Sequence, residues 1–297
     1  MIYTVTLNPS LDYIAFTDTI CEGKTNRTKD EYIVPGGKGL NISILLSRLC
    51  CPSTALGFIG GFTGKELQNL LKAESINCNF TEVADTTRIN FKLNSGKITE
   101  FNGSGITLDT DKIEKLKTRI KNLKSGDWLC LSGSIPKGAK ADIYKELALS
   151  APDSVITVID AVGEPLKQAL LAKPFLIKPN RDELCDFFGV DKIADEDIEI
   201  YAKKLQNMGA QNVMISLGSA GAFLLNSNGK TYFQKAPEGN PINTVAAGDS
   251  MIAGFIKRYC ETNDFADSLK FAVAAGSATA FSKWLAEKDL IYKLYNS

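Results

Sequence analysis

The sequence contains no histidine among its 297 residues. This absence excludes histidine as a catalytic acid or base, a Ser-His-Asp triad, and any metal site with a histidine ligand. The chain also lacks net charge, because 34 Lys and Arg residues balance 34 Asp and Glu residues. A neutral chain has no overall field that attracts nucleic acid or an anionic membrane, so we expect neither as a partner.

The seven cysteines are odd in number and never occur in Cys-x-x-Cys spacing. They are typical of reduced thiols in a cytoplasmic protein. No apolar stretch is long enough to span a membrane, and no basic-then-apolar leader precedes the first strand-like run. We therefore expect a cytoplasmic protein. The densest basic run, residues 112–124, has apolar residues at helical spacing, which favours a solvated helix face over a nucleic-acid site.

Six short apolar runs end abruptly in polar or glycine residues, and stretches with helical spacing separate them. The runs are residues 2–7, 55–59, 128–131, 155–159, 175–177 and 213–215. Their continuous apolar character predicts an α/β protein with a mainly parallel sheet that is buried on both faces and flanked by helices. Ligands bind beyond the carboxyl ends of such strands, so we expect a site at that edge.

Two segments, 13–34 and 88–101, alternate like exposed strands, and residues 94–97 resemble a hairpin turn. We expect them to form a small β-sheet that serves as a lid within a single domain of residues 1–297. An isolated hairpin is marginal in water, so the lid should pack against a partner, and a homodimer through the lid is our hypothesis. The hairpin of residues 222–225 and 231–233 is expected at the edge of the main sheet.

A small-residue turn, Ala246-Ala247-Gly248, directly precedes Asp249 and an apolar segment with helical spacing. Backbone N–H groups at a helix N-terminus lack intrahelical partners and bind anions. A carboxylate beside them suits transfer of a phosphoryl group to a hydroxyl, because it accepts the proton while the amides stabilise developing charge.

Further candidates lie in the first third of the chain. Gly37, Lys38 and Asn41 precede a helical pattern, either as a plain glycine turn or as ligand contacts, and the Gly-x-x-x-x-Gly-Lys-Ser/Thr spacing is absent. Asp12 follows the first strand, as a turn or cap residue or as a ligand for sugar hydroxyls. Arg88 suits a phosphate or an exposed surface position.

In the middle of the chain, Asn180 and Glu183 follow a predicted strand. Their spacing suits contact with Mg²⁺-bound phosphates through water, and it equally suits a helix capping box. The strand-to-turn segment 216–221 could wrap the phosphates or ribose of a nucleotide. The small residues of 272–280 are explained by close helix packing, although an adenine could rest against them.

The motifs occur in a characteristic order. They are Gly-Gly-Lys-Gly-x-Asn at 36–41, Lys-Pro-Asn-x-x-Glu at 178–183 and Val-Ala-Ala-Gly-Asp-Ser at 245–250. Over essentially the whole chain this set closely resembles the PfkB (ribokinase-like) carbohydrate kinases. The chain is most similar to bacterial members that act on fructose 1-phosphate, through residues 4–12, 87–93, 100–102 and 131–136.

The resemblance implies a Rossmann-like ribokinase fold with a β-sheet lid. It also implies transfer of a phosphoryl group from ATP, with Mg²⁺, to the 6-hydroxyl of fructose 1-phosphate. Asp249 would be the general base, and Ala246, Ala247 and Gly248 would form the anion hole. The implied sugar-phosphate ligands are Asp12, Gly37, Lys38, Asn41 and Arg88, with Arg27 as a weaker candidate. The implied ATP ligands are Lys178, Asn180, Glu183, Ser216, Leu217, Gly218, Ser219, Ala220 and Gly221, with no direct protein ligand to the metal.

Three alternatives remain open. The acceptor could be tagatose 6-phosphate or fructose 6-phosphate. From another class, the chain could be a non-catalytic regulator that binds a sugar phosphate, although retention of Asp249 argues against it. A dinucleotide-binding oxidoreductase is disfavoured, because no Gly-x-Gly-x-x-Gly follows the first strand. One departure from many relatives is Asn243-Thr244, where Asp-Thr is common.

Overall fold

The computed structural model describes every residue from 1 to 297. The strands are β1 Ile2–Thr6, β2 Ser10–Phe16, β3 Asp30–Gly36, β4 Ser53–Ile59, β5 Asn77–Glu82, β6 Arg88–Asn94, β7 Ile98–Asn102, β8 Trp128–Ser132, β9 Ile156–Asp160, β10 Leu176–Ile177, β11 Asn212–Ser216, β12 Ala222–Leu225 and β13 Thr231–Gln234. The α-helices are α1 Lys38–Arg48, α2 Gly61–Ala73, α3 Thr110–Lys121, α4 Ile143–Ser150, α5 Gly163–Ala169, α6 Arg181–Phe188, α7 Ile198–Asn207, α8 Ala247–Thr262, α9 Phe265–Ala280 and α10 Lys288–Tyr295.

Nine strands form the main sheet in the order β13-β12-β11-β10-β9-β8-β1-β4-β5. All pairs from β11 to β5 are parallel, and the hairpin of β12 and β13 adds an antiparallel edge. The six predicted strands and the edge hairpin are confirmed. β5 was not predicted, because its residues alternate between exposed and more buried positions and carry several polar side chains.

Both faces of the main sheet are buried, as continuous apolar strands require. In β8, Leu129 and Leu131 join a core cluster of 32 buried residues that includes residues of α3 to α7. Trp128 and Cys130 on the other face join a cluster of 25 buried residues that includes residues of α1, α8, α9 and α10. The layered α/β architecture predicted from the sequence is therefore confirmed.

The small sheet has four strands in the order β3-β2-β6-β7. The β2–β3 and β6–β7 pairs are antiparallel, whereas β2 and β6 pair in parallel. The predicted small sheet thus exists, although residues 17–29 contain no strand. Its function as a lid stays a prediction.

Helices α8 and α9 pack closely through glycine. A Cβ atom at Gly254 would lie 2.9 Å from the Cβ atom of Ala275, and one at Gly276 would lie 2.6 Å from Cγ of Met251. This contact holds the N-terminal half of α8, which carries Asp249, against α9. No helix combines the length and apolar character needed to cross a membrane.

Candidate active site

Most of the predicted site residues meet at the carboxyl edge of the main sheet. There, a cavity of about 440 Å³, which we call the central cavity, lies between this edge, the small sheet and the start of α8. The predicted residues that line it are Asp12, Gly37, Lys38, Asn41, Arg88, Lys178, Asn180, Glu183, Ala246, Gly248 and Asp249. Segments far apart in sequence are therefore brought to one site.

Asp249 lies in the first turn of α8 and is 5% exposed. Nδ2 of Asn41, on α1, donates a hydrogen bond to Oδ2 of Asp249 at 2.8 Å. Burial raises the pKa of Asp249 to about 6, with a further contribution from Asp160, while Lys38, Asn41 and Lys178 act in the opposite direction. The carboxylate is therefore ionised near neutral pH and is a stronger base than an exposed aspartate.

The turn before Asp249 presents free backbone amides. Ala246 has a φ of 63°, in the left-handed region, which turns the chain into α8. The N–H of Ala247 donates to the carbonyl of Thr244 at 3.3 Å, so one of the three predicted anion-hole donors is already engaged. The N–H of Gly248 makes no such bond, and a Cβ atom at Gly248 would lie 2.8 Å from Nζ of Lys178. A free amide and an ammonium group thus adjoin each other beside the base.

Two lysines and three carboxylates form a partly buried charge network. Nζ of Lys38 lies 3.2 Å from Oδ2 of Asp160 and 3.8 Å from Oε1 of Glu183, and Nζ of Lys178 lies 3.9 Å from Oδ1 of Asp160. Burial lowers the pKa of Lys38, but Asp160, Asp249 and Glu183 more than offset this, so the pKa is raised and Lys38 stays charged. Sequence reasoning assigned no role to Asp160. Its only signal was its place directly after a buried strand.

On the small-sheet side, Asp12 is held by three side chains. Oδ1 of Asp12 accepts hydrogen bonds from Oγ of Ser10 at 2.6 Å and from Nδ2 of Asn90 at 2.9 Å. Oδ2 of Asp12 lies 2.9 Å from Nζ of Lys92. Asp12 lies within β2 and is therefore not a helix cap. Asn90 and Lys92 were missed by sequence reasoning, although they share one face of β6 with Arg88 at alternate positions.

Arg88 enters the central cavity from the start of β6 and is half-buried. One Nη1 hydrogen bond reaches the carbonyl of Gly103 at 3.2 Å, whereas the buried Nε has no partner. Burial lowers the pKa of Arg88 and Asp12 opposes this effect. An arginine with unused donors inside a cavity suits a phosphate. Arg27 is exposed between β2 and β3 and lines neither this cavity nor the second cavity described below.

Asn180 and Glu183 form a capping box at the start of α6. Oδ1 of Asn180 accepts from the N–H of Glu183 at 2.7 Å, and Oε2 of Glu183 accepts from the N–H of Asn180 at 2.8 Å. The structural interpretation of the Asn-x-x-Glu spacing is therefore correct. Both residues also line the central cavity, so the cap holds an amide and a carboxylate in place there.

A second cavity of about 730 Å³, the lateral cavity, shares Lys178, Asn180 and Gly248 with the central cavity. Segment 216–221 forms part of its wall through all residues except Ala220. Gly276 and Ala280 of α9 also line it, so the small-residue helix both packs against α8 and borders this space. The central and lateral cavities thus meet at the start of α8, where Asp249 lies.

Comparison with known proteins shows what the chain is similar to. Residues 6–287 match the pfkB family carbohydrate kinases. The chain is 40% identical over 295 residues to 1-phosphofructokinase of Bacillus subtilis, covering 99% of this chain and 97% of the relative. It is 39% identical to D-tagatose-1-phosphate kinase of Bacillus licheniformis, covering 97% and 95%. Among solved structures, phosphofructokinase-2 of Escherichia coli in complex with substrates and products has a TM-score of 0.93 and 31% identity, covering 99% and 98%.

Proposed function

The chain belongs to the pfkB family of carbohydrate kinases, and we propose that it transfers the γ-phosphoryl group of ATP to the 6-hydroxyl of fructose 1-phosphate, forming fructose 1,6-bisphosphate. The observation that carries the proposal is the position of Asp249 in the wall of the central cavity, directly after Gly248, which lines both cavities. The acceptor is proposed from the 40% identity to a 1-phosphofructokinase.

In this proposal, Asp249 accepts the proton of the attacking hydroxyl. Its pKa of about 6 keeps it unprotonated at neutral pH while leaving it basic enough to help. The free N–H of Gly248 and the adjoining ammonium of Lys178 stabilise negative charge on the migrating phosphoryl group. Of the predicted anion hole, Ala246 sets the turn, and Ala247 contributes less because its N–H already donates to Thr244.

The sugar phosphate is proposed to lie in the central cavity. Asp12, Lys38 and Asn41 supply polar groups for its hydroxyls, and Gly37 lets the backbone approach closely, since a Cβ atom there would lie 2.7 Å from Cγ2 of Thr6. Arg88 binds the phosphate that the sugar already carries. The sugar-phosphate contact of Arg27 stays a prediction, because Arg27 lines neither the central nor the lateral cavity.

ATP is proposed to occupy the lateral cavity, with its phosphates directed toward Lys178 and Asn180 and its nucleoside near segment 216–221. No group of three or more acidic or cysteine side chains is arranged to hold a bare metal ion. Mg²⁺ usually keeps several waters and uses one carboxylate with substrate phosphates, so Asn180 and Glu183 fit an ion that arrives with ATP. When bound, this ion neutralises part of the phosphate charge.

The test is an ADP-release assay with a panel of ketose phosphates. Fructose 1-phosphate is expected to give the highest kcat/KM. Tagatose 1-phosphate is a second candidate, because the chain is 39% identical to a kinase named for that sugar. A higher kcat/KM with tagatose 6-phosphate or fructose 6-phosphate would overturn the proposed acceptor. Sugar binding without ADP formation from any acceptor would favour the non-catalytic regulator.

We also propose that the small sheet acts as a lid and as the contact of a homodimer. It exposes Ile33, Ile89, Ile98 and Phe101, each 46% to 60% accessible, which is a large apolar content for four short strands. Sedimentation velocity should show a dimer that Phe101→Glu together with Ile89→Glu, on the same face of the small sheet, weakens. Leu149→Glu, at an exposed position on α4, is the matched control. A wild-type monomer at all concentrations would overturn this proposal. The cytoplasmic location stays a prediction.

A further inference from the structure

Asp160, at the end of β9, is a buried carboxylate that contacts two lysines of the site, Lys38 and Lys178. It is 2% exposed, and it lines neither the central nor the lateral cavity. No backbone amide or neutral side chain donates to its carboxylate oxygens; instead each faces a different ammonium group, that of Lys38 at 3.2 Å and that of Lys178 at 3.9 Å. Asp160 therefore acts on the site through these two lysines rather than by touching a ligand.

The two lysines need a counter-charge. Lys178 is 4% exposed, and a buried cation without a partner is strongly destabilising, whereas Lys38, at 33% side-chain exposure, is partly hydrated. Glu183 assists Lys38 alone, at 3.8 Å. Asp160 is the one carboxylate within ion-pair distance of both. Asp160 is thus an ion-pair partner both of Lys38, which lines the central cavity, and of Lys178, which lines both cavities.

Asp249 responds to the same charges. The charged groups that face it are Asp160 from β9, Lys38 from α1 and Lys178 from the end of β10, and Asn41 adds a hydrogen bond. Asp160 makes Asp249 hold its proton more tightly, and the two lysines have the opposite effect. Without the charge of Asp160, the lysines would act on Asp249 unopposed and make it a weaker base.

We propose that Asp160 is a positioning residue for the phosphoryl transfer proposed above, on which this inference rests. Asp160 fixes the ammonium groups of Lys38 and Lys178 beside the reacting groups. The local fold supports this placement, because Asp160 is paired in register with Ser132 of β8 and its carbonyl accepts from the N–H of Gly133 at 3.0 Å. The carboxylate is thereby held on a rigid strand end.

The test compares Asp160→Asn, which keeps the shape, with Asp160→Glu, which keeps the charge. Asp127→Asn is the matched control, because Asp127 is also a buried carboxylate in an ion pair. Its partner is the N-terminal ammonium group at 2.8 Å, and Asp127 directly precedes β8, at the end of that strand opposite to Ser132. For Asp160→Asn we expect kcat to fall about 100-fold and the acidic limb of the kcat–pH profile to move down by about 1 pH unit. Asp160→Glu should keep the limb in place and lower kcat by about tenfold or less.

A second measurement needs no turnover. The apparent pKa of Asp249 is followed by carboxyl ¹³C NMR, with Asp249→Asn identifying the signal, and it should fall by about 1 pH unit in Asp160→Asn. An unchanged pKa, an unmoved limb, or an equal shift in Asp127→Asn would overturn the inference. If Asp160→Asn does not fold, Asp160→Glu decides: because it keeps the charge, a displaced acidic limb or a kcat lowered by as much as about 100-fold there would overturn the inference.

Failure of the proposed function is a distinct result. In that case the wild type forms no ADP with any ketose phosphate, while the NMR comparison still decides whether Asp160 acts on Asp249. Conversely, an active wild type with an unmoved pH profile in Asp160→Asn leaves the proposed function standing and removes the role of Asp160.

Discussion

Replacing Asp249 with asparagine is expected to remove catalysis and, at the same time, to stabilise the protein. Asparagine has the same shape and retains an oxygen that can accept the 2.8 Å hydrogen bond from Asn41. The substitution removes a carboxylate that is 5% exposed and whose ionisation is disfavoured chiefly by burial. Catalysis and stability should therefore change in opposite directions, as expected where a buried charge is retained for its chemistry.

The magnitude follows from the pKa values. An unperturbed aspartate has a pKa of 3.8, and that of folded Asp249 is raised to about 6. As pH rises through this interval the unfolded chain releases its proton first, so the wild type loses stability that it had below pH 4. The loss is about 3 kcal/mol at most and is complete above pH 6 to 7. Asp249→Asn, which cannot ionise, should be more stable by about 2 to 3 kcal/mol at pH 7.5 and about equal near pH 4.

The assay is urea unfolding of both proteins without ligand, at several pH values from about 4 to 8. Thermal melts should show a Tm that is higher by roughly 4 to 8 °C at pH 7.5. Turnover, measured as ADP release, should fall by about three orders of magnitude. Asp127→Asn is a control with the opposite sign, because burial raises the pKa of Asp127 less than the N-terminal ammonium and Lys124 lower it. Equal stability at every pH, or turnover near wild type, would refute the reasoning.

Three further variants address the remaining contacts. Arg88→Ala should raise KM for the sugar phosphate by about 10- to 100-fold and leave KM for ATP unchanged, whereas an unaltered sugar KM would remove its phosphate role. Gly248→Ala places a Cβ atom 2.8 Å from Nζ of Lys178, so kcat should fall by about tenfold as the ammonium group moves, and a wild-type kcat would contradict that crowding. Glu183→Gln keeps the capping box, so its stability should stay near wild type while KM for ATP rises. Glu183→Ala should lose about 1 kcal/mol in denaturant unfolding as well, and equal stability of the two variants would contradict the cap.

The architecture was predictable because six of the nine main-sheet strands are continuous apolar runs that stop at a polar or glycine residue. The same stops placed Lys178, Asn180 and Ser216 at one edge, whereas Asp249 was predicted from the small-residue turn before a helix. The strand β5 was missed because its sequence, with Asn77, Asn79 and Thr81, contains no such run. Strands that are buried on both faces could thus be predicted from the apolar character of their own residues.

The partners within the site were less predictable. Nothing near Asp160 in sequence indicates that its oxygens face Lys38 and Lys178, because those contacts depend on the order of strands in the sheet. Similarly, the contact of Asn90 with Asp12 depends on the register between β2 and β6, in which these two residues are directly paired. Which distant segments lie beside each other depends on tertiary packing, so a motif within one segment does not predict it.

The hydrogen bond between Asn41 and Asp249 joins residues that are 208 positions apart. Contacts of such long range form late in folding, because the chain loses much entropy before they can contribute. The residues proposed to bind the sugar thus come from the first third of the chain, whereas the base comes from its last quarter. A chain that ends before α8 would keep the former and lack the latter, so the proposed reaction requires both ends of the sequence.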